Sequence, residues 1–116
     1  MGVLCHCTEC RKMTSSAFST NVVIPVSEYT IHGSPKNYTF TRGDEKHITS
    51  FCGECGTTIS KIVEGIDKFK GLVVVQAGTL NEGEGLDNLK VDTELYVKNR
   101  ADWVKQIDGA TQVDTA

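Results

Sequence analysis

The sequence lacks any long apolar run, and it has few prolines, few aromatic residues and no surplus of basic residues. No stretch approaches the ~18 apolar residues that a membrane-spanning helix needs, so we expect no membrane segment. Lys and Arg number 12 against 15 Asp and Glu, which gives a net charge of -3. Because phosphate-backbone binding depends on clustered positive charge, we expect no nucleic-acid partner.

Cysteine is scarce as well, but its five copies form two tight clusters. Cys5, Cys7 and Cys10, the thiol trio, lie within six residues, and Cys52 and Cys55, the thiol pair, form a Cys-x-x-Cys sequence. A tetrahedral zinc ion binds thiolates at about 2.3 Å, and a short loop delivers several of them at small entropic cost. Disulfides usually join distant segments in even numbers of cysteines. The spacing therefore predicts metal ligands, with buried or redox-active thiols as the alternative.

The start of the chain carries no sign of a secretory leader. Residues 1–4 (Met-Gly-Val-Leu) are too short an apolar stretch for the core of a signal peptide. We therefore expect an intracellular protein, in the cytoplasm, where reducing conditions keep thiols available as ligands.

The chain length and the frequent glycines indicate one small β-rich domain. The 116 residues allow a modest core that would gain from a structural metal, and 11 glycines separate short apolar segments. We predict a single domain over residues 1–108 and a loose polar tail over 109–116. The predicted strands cover residues 18–25, 37–41, 46–51, 57–63, 71–77 and 91–97 and the end of 26–32. A loop is predicted at 78–85 and a helical turn at 99–106, with Trp103 packed in the core.

Two arrangements of the thiols fit this spacing. In the first, a single structural zinc takes Cys7 and Cys10 together with the thiol pair, and Cys5 is spare. In the second, the thiol trio forms a site of its own and leaves the fourth position open to water or substrate, as catalytic zinc centres do. The thiol pair then needs two further ligands, for which His32 and His47 are candidates.

Four segments of the chain resemble one family. Residues 5–12 resemble the C-H-C-x-x-C-R-[RK] motif of the glutathione-dependent formaldehyde-activating enzyme family, also described as centromere protein V-like. Residues 51–57 resemble its F-C-x-x-C-G-[TS] motif, 77–81 its [V]-G-[ST]-L-[DN] turn and 99–104 its [SN]-R-A-x-W segment. The order and spacing of the four motifs agree, so the resemblance is specific at the level of the family.

The resemblance implies a mainly β, zinc-binding fold of stacked antiparallel sheets, of the β-tent type. It assigns the thiol trio to a substrate-facing, catalytic zinc and the thiol pair to half of a structural zinc site. Family members carry the other two structural ligands on an upstream G-x-C-x-C-G strand, so we expect a shortened member without its first strand or strands. An uncovered sheet edge would favour a homo-oligomer.

The resemblance also implies a function. Family chemistry suggests a carbon-sulfur lyase-type enzyme that acts on the adduct of glutathione, its co-substrate, with formaldehyde or a related small electrophile. Arg11 and Lys12, beside the thiol trio, are candidates to bind the glutathione carboxylates, and a solvated basic pair is the plainer alternative. The alternative function is a zinc-stabilised protein-interaction module without catalytic activity.

Overall fold

The structure is a computed structural model that describes residues 1–80 and 84–116. The fold is mainly β, as predicted, with eight strands of a mixed sheet: β1 (Gly2–Cys5), β2 (Ser19–Pro25), β3 (Lys36–Arg42), β4 (Glu45–Phe51), β5 (Thr58–Glu64), β6 (Leu72–Gln76), β7 (Val91–Leu95) and β8 (Thr111–Val113). The helices are α1 (Thr8–Thr14) and α2 (Glu84–Asp87), and single 3₁₀ turns lie at Val26–Glu28, Asp67–Phe69, Ala77–Thr79 and Val97–Asn99. None of the described helices is long and apolar enough to span a bilayer.

The chain divides into two compact units. The first unit contains residues 1–22 and 76–116, and the second contains residues 23–75. The first unit therefore holds both chain ends and the thiol trio, whereas the second holds the thiol pair.

The first unit is built around β1, all four residues of which are buried. β1 pairs antiparallel with β2, from Gly2 opposite Val22 to Cys5 opposite Ser19, and parallel with β7 on its other side. β8 then pairs parallel with β7. A strand with neighbours on both sides satisfies its backbone groups in the sheet, so its apolar side chains can be fully buried.

A buried amide network ties β1 to its neighbours. The Asn21 side-chain NH₂ donates to the Val3 carbonyl oxygen at 3.1 Å and to the Ser19 hydroxyl oxygen at 2.9 Å. The Gln76 side-chain NH₂ donates to Asn21 Oδ1 at 3.0 Å. These polar side chains are satisfied within the unit, so their burial carries little penalty.

The second unit is an antiparallel run of strands. β3 and β4 form a hairpin, in which Phe40 lies opposite His47, and β4 also pairs antiparallel with β5. β5 pairs briefly with β6, from Ser60 opposite Val75 to Lys61 opposite Val74. Of the Leu-Val-Val-Val run predicted to be buried, the three valines at 73–75 are buried and Leu72 is half-buried.

The predicted strands correspond to β2 to β7, but other expectations were wrong. Two pairings are parallel, β1 with β7 and β7 with β8, where the resemblance implied antiparallel sheets. No strand forms at the end of residues 26–32, and β1 was not predicted at all. The helical turn predicted at 99–106 is limited to the end of the Val97–Asn99 3₁₀ turn and one further turn, in which the Val104 N–H donates to the Ala101 carbonyl oxygen at 2.9 Å. Three residues of the predicted 78–85 loop, 81–83, lie outside the described residues.

The C-terminal tail is ordered, contrary to the prediction of a loose segment. β8 occupies residues 111–113, and the Tyr96 N–H donates to the Thr115 carbonyl oxygen at 3.1 Å. This polar stretch is a strand because it pairs with β7, although its composition does not indicate a strand. The domain boundary at residue 108 stays a prediction.

Candidate metal centre

The thiol trio lies where β1 passes directly into α1. Cys5 is the last residue of β1, Cys7 is the N-cap of α1 and Cys10 lies in its first turn. The Cys7 Sγ accepts a hydrogen bond from the Cys10 N–H at 3.3 Å, as an N-cap side chain does. Because a helix turn follows the strand at once, three thiols spread over six residues converge.

The geometry of the trio fits a tetrahedral zinc ion. The three Sγ atoms all lie within 4.8 Å of one another, and the three side chains are buried. Zn–S bonds of about 2.3 Å in tetrahedral geometry place sulfur atoms about 3.8 Å apart, so small side-chain adjustments suffice. No other group of three such donors occurs among residues 1–80 and 84–116, although Glu84's side chain is not described.

The electrostatics of the trio also favour a cation. Hydrogen bonds with the Cys10 and Cys7 side chains, and then burial, raise the pKa of the Cys5 thiol far above its ordinary value. Three sulfurs so close in a buried place cannot all ionise beside one another without a positive partner. A divalent metal supplies that partner and holds the sulfurs as thiolates.

The thiol pair lies in a tight turn of the second unit. The Cys52 N–H donates to the Thr57 carbonyl oxygen and the Gly56 N–H to the Cys52 carbonyl oxygen, both at 2.9 Å. Cys55 is exposed, and its Sγ lies 3.0 Å from the Thr57 hydroxyl. The hydrogen bond from the Thr57 side chain is the main cause that lowers the pKa of the Cys55 thiol.

The two histidines proposed to complete the pair are placed differently from each other. His32 is exposed, whereas His47 is buried and its Nε2 lies 2.9 Å from Glu45 Oε2. Neither belongs to a described group of three potential metal ligands. Their role as ligands, like the structural zinc at the thiol pair, stays a prediction.

Arg11 and Lys12 follow the trio on α1. Arg11 is half-buried, and its Nη1 donates to the Asn99 carbonyl oxygen at 3.1 Å, which ties α1 to the turn after β7. Lys12 is exposed. Arg11 therefore has a contact within the protein as well as remaining donors, while the Lys12 ammonium is open to solvent.

Sequence reasoning missed a buried polar pair beside the trio. His6, between Cys5 and Cys7, is fully buried, and its Nε2 lies 2.8 Å from Oε1 of Glu94, also fully buried. The available signals were the histidine inside the Cys-x-Cys sequence and an acidic residue directly before the apolar residues 95–97. Trp103 was also misjudged, because 78% of it is exposed and it does not pack in the core.

Comparison with known proteins identifies the family of the chain. A family model described as glutathione-dependent formaldehyde-activating enzyme matches residues 1–99, most of the 116-residue chain. A search of curated proteins finds no match to this chain. The matched region includes β1, the thiol trio, the thiol pair and β7. The chain therefore belongs to the glutathione-dependent formaldehyde-activating enzyme family.

Proposed function

We propose that the protein is a zinc-dependent carbon-sulfur lyase-type enzyme that acts on a glutathione adduct of formaldehyde or of a related small electrophile. The observation that carries the proposal is the buried thiol trio, whose three sulfurs converge within 4.8 Å. Membership of the family supplies the substrate class. Cys5, Cys7 and Cys10 would hold the zinc.

The donor set suits an ion that also takes a substrate. Three thiolates provide three of the four ligands that zinc takes in tetrahedral sites, and the described residues offer no fourth donor to this group. When bound, such a zinc ion supplies a Lewis acid that can take a thiol or a carbonyl oxygen. The protein's own contribution is to hold the three sulfurs together and to keep them out of water.

The proposed reaction needs no oxidant or reductant. In the lyase direction the carbon-sulfur bond of S-hydroxymethylglutathione breaks, and its hydroxyl loses a proton as the oxygen becomes the carbonyl of formaldehyde. The released sulfur takes up a proton, so glutathione is regenerated as the thiol. The reverse direction joins the same two compounds.

Arg11 and Lys12 would attract the carboxylates of glutathione. Both follow Cys10 directly on α1, so their charges lie at the same end of the first unit as the trio. Lys12 is the better candidate for direct contact, because Arg11 already donates to Asn99. A cytoplasmic location, in which glutathione is reduced and cysteines are kept out of disulfides, agrees with this substrate.

The proposal is tested by comparing Cys7→Ser with Cys55→Ser. Zinc content per chain would be measured by mass spectrometry after reduction, and lyase activity on the glutathione-formaldehyde adduct would be assayed on the same samples. We expect Cys7→Ser to weaken zinc binding at the trio more than about 100-fold and to abolish activity, because one of three thiolates is lost. Cys55→Ser is expected to retain the zinc of the trio.

Two results would contradict the proposal. Wild-type protein whose trio stays metal-free in reduced, zinc-supplemented buffer would remove the metal centre. Wild-type protein that binds zinc tightly at the trio but does not act on glutathione adducts would favour a non-catalytic, zinc-stabilised interaction module instead.

A further inference from the structure

Glu94 is a fully buried carboxylate that collects hydrogen bonds from several segments. Its Oε2 accepts from the Ile107 N–H at 2.9 Å, from Gln112 Nε2 at 2.7 Å and from Arg100 Nη2 at 3.3 Å. Its Oε1 lies 2.8 Å from His6 Nε2. Burial alone would raise the pKa of Glu94, but the hydrogen bonds with Gln112, Ile107 and His6, together with the positive charge of Arg100, outweigh it and hold the pKa below its ordinary value. Glu94 is therefore an ionised carboxylate inside the first unit.

His6 connects this carboxylate to the thiol trio. The His6 ring is hydrogen-bonded through Nε2 to Glu94 Oε1. The His6 backbone N–H also donates to the Leu95 carbonyl oxygen at 2.9 Å. Both the main chain and the side chain of the residue between Cys5 and Cys7 are thus fixed to β7.

Most of the groups that hold Glu94 come from the C-terminal end of the chain. Arg100, Ile107 and Gln112 all follow residue 99, where the match to the family model ends. Gln112 is the middle residue of β8, and its Nε2 also donates to the Ala110 carbonyl oxygen at 3.1 Å. Arg100 contacts Gln112 as well as Glu94. The C-terminal segment, residues 100–112, therefore holds the Glu94 carboxylate that contacts His6.

We propose that Glu94 is a positioning residue for the metal centre, and that the C-terminal segment, through Gln112, sets how firmly the thiol trio holds its metal ion. Gln112 and Arg100 orient the Glu94 carboxylate, the carboxylate orients His6, and His6 fixes the backbone between Cys5 and Cys7. Groups one step removed from metal ligands commonly change metal affinity about 10–100-fold when they are removed. The inference rests on the proposed metal site, but it is independent of the reaction that the site performs.

The rival explanation is that the network only stabilises the fold. A purely structural network would lower the melting temperature of a variant without altering the metal centre of the folded molecules. A positioning network changes the geometry of the trio in molecules that remain folded. The absorption spectrum of Co²⁺ bound to thiolates separates the two cases, because it reports on the arrangement of the sulfurs around the ion.

The experiment uses full-length protein titrated with Co²⁺ and then with Zn²⁺ against a chromophoric chelator, at a temperature where circular dichroism shows each variant folded. The test variants are Glu94→Gln and Gln112→Ala, and the matched control is Thr111→Ala, an exposed neighbour in β8. We expect Gln112→Ala to weaken zinc binding about 10-fold and Glu94→Gln by more, each with an altered Co²⁺ spectrum. Thr111→Ala is expected to match the wild type.

Gln112→Ala decides the question if Glu94→Gln does not fold, because it leaves both buried partners in place. If Gln112→Ala binds zinc within twofold of the control and its Co²⁺ spectrum is unchanged, the inference is overturned but the proposed metal site is not. A wild-type protein that gives no thiolate-to-Co²⁺ absorption would overturn the proposed metal site, and the inference with it. Weakened binding with an altered spectrum in Gln112→Ala, absent from Thr111→Ala, would establish it.

Discussion

Gly65 and Gly71 have similar backbone angles but different surroundings. Both adopt a positive φ, +90° at Gly65 and +74° at Gly71, which costs an L side chain about 1–2 kcal/mol. A Cβ at Gly65 would clash with the Asp44 carbonyl oxygen, whereas a Cβ at Gly71 would have no described atom within 4 Å. Substitutions at these two glycines therefore separate the cost of backbone strain from the cost of a steric clash within one unit.

We predict that Gly65→Ala destabilises the protein by at least about 2 kcal/mol and that Gly71→Ala costs about 1 kcal/mol. The extra cost arises because the β3–β4 turn must move away from β5 to admit the new methyl group. Urea unfolding followed by circular dichroism measures both values. Equal losses in the two variants would show that the carbonyl contact has no energetic effect.

The burial of His47 should make the stability of the protein depend on pH. Burial is the main cause that lowers its pKa, helped by the positive charges of Lys61 and Arg42 and opposed by the hydrogen bond to Glu45. Its Nδ1 is buried and has no hydrogen-bond partner among residues 1–80 and 84–116, and its ring stacks on that of Phe40 with the ring centroids 4.6 Å apart. A second proton on the ring would therefore have no acceptor.

We predict that His47→Gln makes the stability of the protein less dependent on pH between 7.5 and 5.5. A histidine whose folded pKa lies below its unfolded value of about 6.5 is protonated preferentially in the unfolded chain, so stability falls as the pH falls through this range. The free energy of unfolding at both pH values would be compared among wild type, His47→Gln and His32→Gln. His32 is exposed, and its variant should keep the wild-type dependence. A wild-type dependence in His47→Gln would contradict the prediction.

At the scale of the element, α1 is short and its C-terminal cap is strained. Ser15 adopts the left-handed conformation with φ 52° and ψ 37°, while its N–H donates to the Lys12 carbonyl oxygen at 3.3 Å. The Ser16 N–H donates to the Arg11 carbonyl oxygen at 3.2 Å. This pattern usually has glycine at the left-handed position. The helix that carries Cys10 therefore ends on a residue that is not the best one for the cap.

We predict that Ser15→Gly stabilises the protein by about 0.5–1 kcal/mol, because relief of the left-handed strain exceeds the added flexibility of the unfolded chain. The melting temperature should rise by about 2–5 °C. Ser15→Ala is the control and should give no gain, since alanine has the same strain. A fall in melting temperature with glycine would contradict this account of the cap.

The sequence predicted the strands whose residues alternate or form long β-branched runs, and it predicted less well the elements that depend on pairing. β3 and β4 have a periodicity that can be recognised locally. β1 has four residues and β8 has three, and each depends on pairing, β1 with β2 and β7 and β8 with β7. A segment that short contains too little pattern to distinguish a strand from a loop.

The same reasoning explains the candidate site. The spacing of the cysteines predicted metal ligands but left two arrangements open, and the structure brings the sulfurs of Cys5, Cys7 and Cys10 together, as the second arrangement requires. The contact between His6 and Glu94 joins residues 88 positions apart, so local patterns can mark each residue but cannot show that the two meet. The exposure of Trp103 was equally hidden, since an aromatic residue in a turn packs or protrudes according to contacts far along the chain.

At the scale of the whole molecule, metal binding should be linked to stability. An ion that binds the folded thiol trio and not the unfolded chain stabilises the protein by about 2.7 kcal/mol at a free concentration of 100 times its dissociation constant. Because the core is small, this contribution would be a large share of the total free energy of unfolding.

We predict that zinc at this excess raises the melting temperature of the reduced protein by about 10 °C and that a chelator reverses the change. Scanning calorimetry of the wild type and of Cys10→Ser measures the effect. Cys10→Ser, which removes a trio sulfur, should respond to zinc much less than the wild type. An equal response in the two proteins would place the stabilising ion elsewhere.

Trp103 has a practical consequence for all of these measurements. It is the single tryptophan of the chain, and its indole is already surrounded by water in the native state. Its fluorescence should therefore emit at long wavelength, be readily quenched by iodide and change little when the sheet unfolds. A denaturation curve read from this emission would understate the cooperativity of the molecule, whereas a blue shift on adding a small molecule or a protein would indicate that the added partner covers residue 103.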